Sequence, residues 1–105
     1  MRGDLYRLRA PRNARGHEQQ GERFAVAVQS DLVNISTVLV APTSTTLRHA
    51  PWRPVVELGG RSTRVLLDQM RVVDPEVACG DFAGRLEPAE LAEVDTALRL
   101  ILGLR

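Results

Sequence analysis

One run near the amino end, Gly16-His17-Glu18-Gln19-Gln20-Gly21-Glu22-Arg23, brings together an imidazole, carboxylates and a fixed cation. Imidazole titrates near neutral pH, and guanidinium is a permanent planar donor to oxyanions. Cleavage of RNA by its own 2′-OH needs three functions. One group takes the 2′-OH proton, one protonates the leaving 5′-oxygen, and donors stabilise the crowded, charged phosphorane. His17, Glu18 and Arg23 have the right chemistry for that set. The same residues also suit a solvated loop in which Glu18 and Arg23 merely pair, and residue type and spacing alone leave both readings open.

Other chemically capable side chains are scattered. His49 stands among polar neighbours, and no His or Cys pair shows metal-ligand spacing, so no metal or cofactor is expected. Trp52, bracketed by Pro51 and Pro54, suits stacking on a base or receiving a partner's side chains, and equally suits closing the end of a core. Cys79, alone, reads as a small buried hydrophobe and excludes an internal disulfide, which fits a reducing, cytoplasmic setting.

These residues need a scaffold, and 105 residues give room for one domain, 1–105, with one hydrophobic core. Further binding surface must then come from a second copy or a partner. An apolar share of 44% reads as globular. Charge runs through the first fifteen residues, and no apolar stretch approaches the ~20 residues that span a bilayer, so neither a signal peptide nor a membrane anchor is expected. The formal net charge of +1 hides an uneven distribution. Residues 1–23 hold six arginines against three acids, whereas residues 74–95 hold seven acids against Arg85 alone. All 14 basic residues are Arg, a bias that a GC-rich genome produces without selection for phosphate binding.

Alternation and turn residues predict strands over Asp4–Arg9, Phe24–Gln29 and Thr37–Ala41, with a long loop over Pro11–Gly21. Val55–Leu58, a Gly59-Gly60 turn and Thr63–Leu67 read as a hairpin, and Met70–Val73 as a last short strand. From Pro88 the period changes. Leu91, Val94, Leu98, Ile101 and Leu102 recur at helical spacing, with Glu87, Glu90 and Glu93 early and Arg99 late, as the helix dipole favours. The expected fold is mainly β, a small strongly bent antiparallel sheet or barrel with a C-terminal helix.

The run from Gly16 to Arg23 resembles the G-[SH]-E-Q-x-G-x-R signature of the MazF/PemK toxins. Arg2-Gly3-Asp4-Leu5-Tyr6 resembles their R-G-[DE]-[IV]-[WY] opening, Val40-Ala41-Pro42-Thr43-Ser44 the strand end bearing their active-site Thr, and Leu67 to Asp74 their L-x-Q-x-R-x-[IV]-D segment. The likeness spans the chain. It implies an SH3-like barrel of the CcdB/PemK type, dimeric, with single-stranded RNA bound in a groove between subunits and a cognate antitoxin that blocks it. The implied activity is metal-independent, sequence-selective RNA cleavage leaving a 2′,3′-cyclic phosphate and a 5′-OH.

Carried over position by position, the resemblance gives Arg23 the phosphorane-stabilising and proton-transfer role, and Thr43 the hydroxyl that holds the phosphate. Glu18, His17 and Asp68 match carboxylate, supporting or base positions. Gln19, Gln20, Arg64, Gln69 and Trp52 are the candidate substrate contacts. Leu66 stands where the plasmid-borne branch carries an Arg, so Arg23 must do more of the work unless Arg64 reaches in. Phe24 stands where the family usually has Pro. An Arg with a pKa above ~12 is a poor proton donor, and its charge is expected to act chiefly on the phosphate. Two other readings share the architecture: a gyrase-poisoning toxin, and a degenerate toxin that only binds antitoxin or RNA.

Overall fold

The structure, a computed structural model, describes residues 1–9 and 23–105. Among the described residues, seven strands and two α-helices follow in order: β1 (Asp4–Leu8), β2 (Phe24–Ala27), β3 (Val38–Ser44), β4 (Val55–Leu58), β5 (Arg61–Val65), β6 (Arg71–Val73), the four-residue α1 (Pro75–Ala78), β7 (Cys79–Arg85) and α2 (Pro88–Leu102). They form one antiparallel sheet in the order β4-β5-β3-β2-β1-β7, with β6 also paired to β3. The sheet curls into a half-barrel with α2 against it.

Side-chain alternation decides which residues enter the core. Leu5, Val26 and Ala41 stand opposite one another on β1, β2 and β3 and are buried together. Val56, Val65 and Leu67 continue that apolar layer, and Val94 and Ala97 close it from α2. Leu91, Leu98 and Ile101 pack at its margin, as the helical period predicts, whereas Leu102 is exposed.

Polar contacts hold the ends. Asp4 is buried, with Oδ1 accepting from Arg85 Nε at 2.7 Å and Oδ2 from the Met1 amine at 2.9 Å. Burial alone would raise its pKa, but the Arg85 and amine interactions together outweigh that and hold it below the usual carboxylate value. At the start of α2, Pro88 occupies the first turn and the Glu90 carboxylate works twice. Its Oε1 accepts from Glu87 N at 2.9 Å and its Oε2 from Glu57 N at 2.8 Å, so one side chain caps the helix and satisfies the outer edge of β4. Gly103, at φ 69°, ends α2 in the left-handed conformation that favours glycine.

Two parts of the chain depart from the sequence reading. The second hairpin strand starts at Arg61 and stops at Val65, because Leu67–Gln69 turns into a short 3-10 helix closed by Gln69 N to Leu66 O at 2.9 Å. The strand over Met70–Val73 is not the last. Asp74 caps α1 through its side chain, and β7 then pairs with β1 with two register shifts. The predicted Pro11–Gly21 loop lies outside the described residues. Among the described residues, no helix is long and apolar enough to cross a membrane.

Candidate active site

Three neighbouring strands set out the site. In the register of β1 and β2, Arg7 lies opposite Phe24, one row beyond the buried Leu5–Val26 pair. The β2–β3 register runs Val26↔Ala41 and Ala25↔Pro42, and one further step sets Phe24 against Thr43. A hydrogen bond fixes that step, since Thr43 Oγ1 donates to Phe24 O at 3.1 Å. The face that buries the core therefore ends in a row of Arg7, Phe24 and Thr43. Arg7 Cζ lies 5.5 Å from the centre of the Phe24 ring, within cation–π range.

Arg23 immediately precedes β2. Its carbonyl accepts from Leu8 N at 2.8 Å, which anchors its backbone to β1, while its side chain is exposed. A permanent cation open to solvent thus sits one residue from the carbonyl that the Thr43 hydroxyl contacts. The hydroxyl is half-buried and retains acceptor lone pairs as well as its shared proton.

Arg64, on β5, pairs in register with Ser44, next to the Thr43↔Val65 pair. Its Nε donates to Leu47 O at 3.0 Å. Its Nη1 is shielded from solvent and has no hydrogen-bond partner among the described residues. A shielded guanidinium N–H without an acceptor is costly. Leu66, the departure from the plasmid-borne branch, is buried and offers no second charge.

Asp68 has a different environment. Arg53 binds both of its oxygens, Nε to Oδ1 at 3.1 Å and Nη2 to Oδ2 at 2.8 Å. Those hydrogen bonds hold its pKa below the ordinary carboxylate value, outweighing the opposing effect of burial. A carboxylate held in that way is a weakened base. The sequence offered no sign of this clamp, because Arg53 sits fifteen positions away from Asp68 in a separate loop. Gln69, in the 3-10 turn, is exposed, and Trp52 is 39% exposed and lies outside the cluster of buried core residues. His17, Glu18, Gln19 and Gln20 lie outside the described residues. Among the described residues, no three His, Cys, Asp or Glu side chains are grouped to hold a metal ion.

Residues 1–102 match the family model of PemK-like, MazF-like toxins of type II toxin–antitoxin systems. The chain belongs to this family. A toxin candidate of Mycobacterium tuberculosis is 38% identical to this MazF-like chain over 104 residues, covering 99% of it and 98% of the relative. Among solved structures, an endoribonuclease in complex with its cognate antitoxin, from a mycobacterial species, superposes with a TM-score of 0.77 at 24% identity, covering 100% of this chain and 96% of that one. MazF from Deinococcus radiodurans gives a TM-score of 0.73 at 27% identity, covering 98% and 96%. The Mycobacterium tuberculosis toxin MazF-mt6 gives 0.76 at 16% identity, covering 97% and 98%, and that likeness speaks to the shared fold.

Proposed function

We propose that this MazF-like toxin is an endoribonuclease that cuts accessible single-stranded RNA at selected sequences, using the substrate's own 2′-OH. The observation that carries the reading is the hydrogen bond from the Thr43 hydroxyl to the carbonyl of Phe24, the residue that follows the exposed Arg23 in sequence. The name of the mycobacterial structural neighbour, an endoribonuclease bound to its antitoxin, points the same way.

In the proposed reaction the 2′-oxygen attacks the adjacent phosphorus, and the bond from phosphorus to the 5′-oxygen breaks. The 2′ proton goes to a base, for which His17 or Glu18 is the candidate, and the departing 5′-oxygen takes its proton from the conjugate acid of that base or from a solvent water. Thr43 holds a phosphate oxygen, and Arg23 opposes the charge that grows on the phosphorane. Arg64, a half-buried cation on β5, is the candidate contact to a flanking phosphate. Gln19, Gln20, Gln69 and Trp52 remain candidate contacts to bases. The nucleophile belongs to the substrate, so the reaction has no need of a metal to activate water. The products are a 2′,3′-cyclic phosphate and a 5′-OH.

A homodimer would supply the groove that a chain this small offers only in part, and a cognate antitoxin with an acidic, extended segment would cover the arginines and exclude RNA. The deciding experiment is cleavage of a long RNA by purified protein in excess EDTA, with the ends of the products analysed. Cyclic phosphate and 5′-OH ends are expected. An intact RNA, or 3′-OH and 5′-phosphate ends, would overturn the reading. Sedimentation at micromolar concentration should give the dimer, and a monomer would contradict a site shared between subunits.

A further inference from the structure

Phe24 is an aromatic residue that the core does not use. Among the described residues it belongs neither to the buried cluster nor to the hydrophobics packed on that cluster, although it stands directly beyond Val26 on the same face of β2. Its ring is half-buried and its neighbours on both sides are polar. On β1 the exposed Arg7 holds its guanidinium 5.5 Å from the ring centre. On β3, Thr43 lies opposite and donates its hydroxyl proton to Phe24 O at 3.1 Å.

Side chains directly opposite on antiparallel strands have Cβ atoms about 4.5–5.5 Å apart. A nucleotide whose phosphate rests on Thr43 therefore has its base within reach of the Phe24 ring. Aromatic rings bind bases through their faces with little regard to base identity, whereas a cation beside the ring adds attraction and a hydrogen-bond donor. The strand beneath the ring is held in place, since the same hydroxyl that would contact phosphate ties down the Phe24 backbone. Base and phosphate would thus be received by adjoining residues of paired strands.

We infer that Phe24, braced by Arg7, is the stacking platform for a base beside the scissile phosphate. This rests on the reading of the chain as an RNA-cleaving toxin. It makes Phe24 a residue of substrate positioning and leaves the proton transfers to other groups.

The test measures binding of an RNA whose cut is blocked by one 2′-deoxyribose, after the cut has been mapped with wild-type protein. Each nucleotide flanking the cut is replaced in turn by an abasic residue. Wild-type protein should lose about fivefold to a hundredfold in affinity at one of these positions, the range of a single base–aromatic stack. Phe24→Leu should bind the intact strand that much more weakly and show no further loss at that position. Phe24→Tyr, which keeps the ring and the packing, should behave as wild type, and Thr43→Val should weaken both strands while preserving the abasic penalty. An unchanged penalty in Phe24→Leu at every position, or a lost penalty in Phe24→Tyr, overturns the platform while RNA cleavage by wild type stands. A wild-type protein that neither binds nor cuts RNA would remove the functional reading and the platform with it.

Discussion

Arg53 lays both arms of its guanidinium on the carboxylate of Asp68, at 3.1 and 2.8 Å, and so ties the loop that carries Trp52 to the 3-10 turn after β5. The pair organises loops beside the candidate site, and it lowers the basicity of Asp68. Asp68→Asn is expected to lower the cleavage rate less than about tenfold, where loss of a general base costs ~10²–10⁴. A rate fall in that larger range, rescued at higher pH, would return Asp68 to the chemistry.

The same pair has a pH signature. The folded pKa of Asp68 is depressed, so its contribution to stability is complete above the ordinary carboxylate pKa and is lost as pH falls through the lower folded value. Thermal unfolding of wild type and Arg53→Ala should therefore differ at neutral pH and converge in acid. A difference that persists unchanged in strong acid would show that Arg53 stabilises by packing and not through Asp68.

Arg23 and Thr43 should separate activity from stability. Arg23 is exposed, so Arg23→Ala is expected to leave unfolding within about 0.5 kcal/mol of wild type while cutting the rate by ~10²-fold or more, the scale of a lost transition-state donor. Arg23→Lys should recover little, because one ammonium does not reproduce a planar fork. Thr43→Val also loses the hydrogen bond to Phe24 O, so a stability cost of about 1 kcal/mol should accompany its loss of rate. Thr43→Ser, which keeps the hydroxyl, should restore most of both, and an active Thr43→Val protein would make the residue structural.

Glu90 joins α2 to the edge of the sheet through two backbone donors, Glu87 N and Glu57 N. Glu90→Ala removes both acceptors at once and is expected to cost about 1–2 kcal/mol by chemical denaturation. Glu90→Gln keeps a single good acceptor and should fall between. Equal stability of all three proteins would mean that water serves these donors as well.

The strands that the sequence displayed are those whose side chains alternate against a core, and β2, β3 and β4 stand within a few residues of their expected places. α2 was legible for the same reason, since Pro88, Glu90 and a stripe at helical spacing are all local signals. β7 was not legible. Gly80, Asp81 and Gly84 break any alternation, and what makes the segment a strand is backbone pairing with β1, more than seventy residues away, which no local pattern records. The site divides likewise. The motif pointed to Arg23 and Thr43 without showing that Thr43 bonds the carbonyl of the residue after Arg23, because that contact depends on the β2–β3 register. The Arg53 clamp on Asp68 depends on two loops meeting and left no trace in residue spacing.

The source of the nucleophile gives the sharpest chemical test. In the proposed reaction the 2′-oxygen beside the cut attacks phosphorus, and the contacts of Arg23, Thr43 and Arg64 go to phosphate oxygens that a deoxyribose leaves in place. One 2′-deoxyribose 5′ to the cut should therefore abolish cleavage there and weaken binding only modestly, by a few fold, leaving a strand that competes with normal RNA for the same site. Its inhibition constant should approach the dissociation constant of the intact strand, and excess EDTA should change neither value. Cleavage of the substituted strand at the normal rate would mean that water, and not the ribose, attacks phosphorus. Arg23 and Thr43 would then keep their place beside the phosphate, but the proton assigned to His17 or Glu18 would have to come from that water.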